Sequence, residues 1–124
     1  FVTTHLIVRT KFLEEHPDVV EALVRAHVET TQWIDANPDE AKALVNASIE
    51  EITGKPLSQA VIDGAWANID VTYDPIASSL FASAADAYDL GFLGNDEPDL
   101  SGIYDLAILN GILRELNLPE VAAE

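Results

Sequence analysis

Apolar positions along the chain change their period once, near residue 10. In FVTTHLIVRT, residues 1–10, Val2, Leu6 and Val8 fall on one face of an extended chain and Ile7 on the other. β-Branched residues dominate, and no helix-starting signal precedes Thr10, so residues 2–8 read as a strand. Apolar side chains on both faces are the mark of a buried, central strand. Only Ile69–Tyr73 (IDVTY) offers a second, weaker candidate. A buried strand without neighbours leaves its backbone donors and acceptors unpaired. The pattern therefore predicts that partner strands belong to chain outside these 124 residues.

From residue 11 onward the period is helical and the punctuation is clear. Lys11 to Glu15 makes one short turn, and His16-Pro17 opens a long helix with proline at its first position. Val20, Leu23, Val24, His27 and Ile34 lie on one stripe of that helix, and Glu21 precedes Arg25 by four, the favourable order for an ion pair. Asn37-Pro38-Asp39-Glu40 reads as a cap, a first position and a capping-box glutamate. The next helix turns Ala41, Leu44, Val45, Ser48, Ile49 and Ile52 to one side and stops at Gly54. Ser58 caps a third, with Val61, Ile62, Ala65, Trp66 and Ile69 inward. Asp74, as N-cap, and Pro75 open a fourth carrying Ile76, Leu80, Ala84 and Tyr88, ended by Gly91 and Gly94. The last has Leu106, Leu109, Leu113 and Leu116 on one face, and Pro119 blocks its extension. Helices are expected at 17–36, 39–53, 58–69, 75–91 and 104–116, with Leu23, Val24, Leu44, Val45, Trp66, Leu80, Leu109 and Leu113 buried.

Charge narrows the choice of partners. With 22 acidic against 6 basic residues the formal net charge is −16, which repels nucleic acid and anionic membrane surfaces. The chain has no apolar run long enough for a spanning helix. Without cysteine there is no disulfide, thiolate metal site or cysteine nucleophile. The chain also lacks methionine and begins at Phe1, so an N-terminal portion is expected to have been removed.

Candidate chemistry is sparse. His5, His16 and His27 are spaced by eleven, which is no metal-ligand pattern, and His27 on an apolar stripe reads as a core or partly buried histidine. The acidic stretch Asn95–Asp99 lacks the alternating oxygens of a calcium loop and reads as solvated surface. Ser78, Ser79 and Ser83 stand inside a helix without a nucleophile elbow around them. Asn46-Ala47-Ser48 matches the glycosylation sequon but also falls within a helix. No catalytic residue, metal ligand or cofactor is nominated, and the chain is read as a non-enzyme.

The wording of the sequence goes further than its period. The run TTHLIVRTKFLEEHPDVVEALVRAHVETTQWIDANPDEAKALVN resembles the C-terminal third of ABC-importer solute-binding proteins of the aliphatic sulfonate, taurine and nitrate group. The Leu57–Trp66 helix, VTYDPIASSL at Val71–Leu80 and DLSGIYDLAILNGIL at Asp99–Leu113 follow in the same order. The resemblance implies a mainly α, C-terminal fragment, residues 1–124, of a two-lobe α/β fold of the periplasmic-binding-protein type II kind. It implies a periplasmic or lipid-anchored extracytoplasmic protein that captures a small anionic solute and passes it to a membrane permease. It places Thr72, Tyr73 and Asp74 near the interlobe region, as the positions expected to touch ligand.

A different class remains open: a helical interaction module without a small-molecule site, pairing through its N-terminal strand, with a homodimer through residues 2–8 as one form. An enzyme of thiamine-precursor synthesis on the same fold is a weaker third reading, because no suitable reactive side chain stands out.

Overall fold

Proline and glycine set several of the helix ends in the computed structural model, which describes residues 2–123. The order is α1 (Thr10–Glu15), α2 (Pro17–Ala36), α3 (Pro38–Thr53), α4 (Gln59–Trp66), α5 (Ala77–Asp89) and α6 (Ala107–Glu115). Pro17 and Pro38 each stand at a first helical position, where the missing N–H costs nothing. Gly54 ends α3 in the left-handed region at φ 84°. The ends of α5 and α6 are both Schellman motifs. Phe92 N–H reaches Ala87 C=O at 2.9 Å and Gly91 N–H reaches Tyr88 C=O at 2.8 Å. At α6, Leu118 N–H bonds Leu113 C=O at 2.8 Å, and Asn117 takes the glycine's place at φ 56°.

The expected strand is absent. Residues 2–9 are irregular, and no residue among those described belongs to a β-ladder, Ile69–Tyr73 included. The expected α/β type II fold is therefore corrected to an all-helical one of six helices among the described residues. The physical reason is pairing: β propensity describes how a side chain fits a sheet, and a segment without a neighbouring strand has no ladder to join.

Helix boundaries moved less. The third, fourth and fifth expected helices are each shorter than their spans of 58–69, 75–91 and 104–116. Neither Asn37 nor Ser58 caps through its side chain: Asn37 Nδ2 instead donates to Trp33 C=O at 2.9 Å, on the last turn of α2. Asp74 is not an N-cap either. Ile76 holds that position, and Asp74 Oδ1 accepts the Ile76 N–H at 2.8 Å in a turn two residues long.

The chain divides into two compact units, Phe1–Arg25 with Asp74–Glu124, and Ala26–Tyr73. In the first, α6 is the most deeply set helix, with Leu109, Ile112 and Leu113 buried; Val20 and Ala77 are buried with them. Arg25 bonds both Glu21, at 3.2 Å on its own helix, and Glu115 at the end of α6. These two carboxylates, Glu115 before Glu21, hold the guanidinium pKa above its ordinary value. Asn110 clips the C-terminal tail: its amide donates to Val121 C=O and accepts from Val121 N–H, both at 2.9 Å.

In the second unit Val28, Thr31, Ala41 and Ile62 are buried, and α3 packs against α4. Thr31 is the one buried polar side chain among the described residues, and its hydroxyl donates to His27 C=O at 2.9 Å, as burial requires. Asn46 forms a second clip, bonding Leu57 N–H at 2.8 Å and Leu57 C=O at 3.0 Å. Lys42 Nζ meets Asp63 Oδ1 at 3.0 Å, joining α3 to α4.

Several expected core positions face solvent. Leu23, Leu44 and Val45 are exposed, His27 is exposed, and Val24, Trp66 and Leu80 are only half-buried; Leu109 and Leu113 are buried. On α2, Val20 is buried and Val24 half-buried as the expected stripe has them, but Val28 and Thr31 are buried where Leu23 and His27 of that stripe are exposed. On α3, Lys42 reaches Asp63 of α4 and Asn46 reaches Leu57 in the connection before it, while Leu44, Val45 and Ile52 face outward.

Candidate functional site

The most distinctive surface feature belongs to the first unit and starts from the irregular N-terminal segment. Two polar contacts hold its beginning. Val2 N–H donates to Ser79 Oγ on α5 at 3.2 Å, and His5 Nε2 shares a hydrogen bond with Tyr104 Oη at 3.1 Å. Tyr104 in turn meets Phe81 edge-on, with ring centroids 6.1 Å apart. Beyond His5 the side chains turn outward: Leu6 is 53% exposed and Ile7 88%. Arg9 is still extended, and its carbonyl receives Phe12 and Leu13 N–H at 2.9 and 3.0 Å, starting α1.

Between this segment and the helices after it lies a groove of about 270 Å³. Leu6, Ile7 and Val8 form its segment side, with Phe12 of α1 and Val19, Val20 and Leu23 of α2 facing them. Arg9 is the only charged residue in the lining, and it has no ion pair among the described residues. Such a lining suits apolar side chains better than a free small oxyanion, whose charge needs several donors. The apolar segment is legible in the sequence but the groove is not, because Phe12 and Val19 lie outside the stripe of Val20, Leu23, Val24, His27 and Ile34. Their shared signal is apolar residues at 12, 19, 20 and 23 bracketing His16-Pro17.

The residues that the resemblance nominated stand elsewhere. Thr72 is exposed and ends the second unit with half-buried Tyr73; Asp74, half-buried, belongs to the first. None of the three lines the groove. Asp74 is engaged by the Ile76 N–H. Ile76 itself carries φ 47°, a left-handed conformation that is strained for a β-branched side chain.

Most cations of the chain are already committed to carboxylates. Lys11 pairs with Glu15, Arg25 with Glu21 and Glu115, Lys42 with Asp39 and Asp63, and Arg114 with Glu120. The Lys42 ammonium, followed by the Gln59 amide, holds the Asp63 carboxyl below the ordinary carboxylate range. In the acidic stretch Asp99 is also held low, by the Ser101 side chain first and its N–H second. Among the described residues no three His, Cys, Asp or Glu side chains gather as a metal site. Ser79 serves as the acceptor for Val2, and the sequon Asn46 is engaged by Leu57. Among the described residues no helix is long and apolar enough to cross a membrane.

Compared with known proteins, this chain matches no protein-family model, none of the curated proteins and no solved structure.

Proposed function

We propose that residues 1–124 are the C-terminal part of the substrate-binding component of an ABC importer, which captures a small anion such as an aliphatic sulfonate, taurine or nitrate and delivers it to a membrane permease. The observation that carries this reading is the ordered succession of four sequence stretches, from Thr3 to Leu113, that resemble that group. A second feature supports it. The segment Leu6–Val8 and the groove beside it expose apolar surface of a kind that further chain of the same protein would cover. In this reading the protein binds and does not catalyse, works outside the cytoplasm, and needs no cofactor.

With four of its six basic side chains already in ion pairs, this chain would contribute backbone dipoles and hydroxyls to anion capture rather than a basic patch. Thr72, Tyr73 and Asp74 remain the proposed contact positions. The coding sequence upstream of Phe1 is the first test, since an importer component needs an export signal there. Calorimetry on the natural protein with taurine, ethanesulfonate and nitrate is the second. Saturable binding of one of them, weakened at least tenfold by Tyr73→Ala, is expected. An upstream sequence without export signal, or no heat with any of the three at millimolar concentration, overturns the proposal.

The alternative, a helical interaction module without a small-molecule site, is favoured by one observation: the groove lining is apolar apart from Arg9. It predicts no response to any of the three anions and a loss of partner binding on Leu6→Asp.

A further inference from the structure

We draw no further inference here: the strongest candidate, the outward apolar face of α3 formed by Leu44, Val45 and Ile52, carries nothing because the structure does not show what covers it.

Discussion

Ile76 is the residue at which local conformation and side chain disagree most. At φ 47° and ψ 63° its Cβ crowds the backbone, and such strain costs on the order of 1–3 kcal/mol. Glycine adopts that region freely, at an entropic cost of roughly 0.5–1 kcal/mol relative to alanine elsewhere. With 40% of its surface exposed, Ile76 has less burial to lose on truncation than a core isoleucine. Ile76→Gly is therefore expected to leave stability unchanged or raise it by up to about 1 kcal/mol in urea denaturation. A clear fall in the midpoint would show that the side chain's packing outweighs the strain. Leu113 and Leu44 make the complementary comparison. Leu113 is fully buried and Leu44 is 60% exposed, although both stand at apolar positions of an amphipathic helix. Leu113→Ala should cost about 2–5 kcal/mol through lost transfer energy and a cavity. Leu44→Ala should stay within about 0.5 kcal/mol. Equal losses would mean that the outward face of α3 is covered.

Among the elements, two asparagine side chains do the same job. Each presents amide N–H and C=O to one backbone residue eleven positions ahead, Asn46 to Leu57 and Asn110 to Val121, as a second strand would. The Asn110 clip is half-buried and fastens the tail after α6. Asn110→Ala should cost about 1–2 kcal/mol and speed hydrogen exchange at the Val121 amide. Unchanged exchange there would mean that the tail is held by packing alone. The α3–α4 link is electrostatic as well as apolar. Because Lys42 and Gln59 lower the Asp63 pKa in the folded chain, the carboxylate's contribution is present above its unfolded pKa and fades as pH falls through the folded one. Lys42→Ala should move the Asp63 titration, followed by NMR, upward toward the ordinary carboxylate value. No movement would assign the shift to Gln59.

For the whole molecule, the net charge of −16 opposes any association, while exposed Leu6, Ile7 and Val8 favour it. Salt separates the two effects, since screening shortens from about 30 Å at 0.01 M to about 8 Å at 0.15 M. Sedimentation of residues 1–124 should show self-association that strengthens over this range and vanishes when residues 1–8 are removed. Association that persists without them would place the contact on another face, the outward side of α3 being the next apolar surface. A monomer under every condition would leave the segment covered by its own chain.

Most helix ends could be read from the chain alone, because their causes lie within a few residues. Proline lacks an N–H and starts α2 and α3, and glycine reaches the left-handed region that closes α3 and α5. The Glu21–Arg25 pair follows from spacing in the same way. The candidate contact positions Thr72–Asp74 came from the wording of the sequence, not from any local physical cause, and so no local rule could place them. Burial was a different matter. Leu23 and Leu44 sit at apolar positions, yet whether such a face is covered depends on a neighbour that the period of one helix does not specify. The same holds at residues 2–8: their β-branched side chains are suited to a sheet, but a strand exists only where another backbone supplies the opposite half of each hydrogen bond. Within the described residues none does. Packing therefore left the segment irregular and made it one side of an apolar groove.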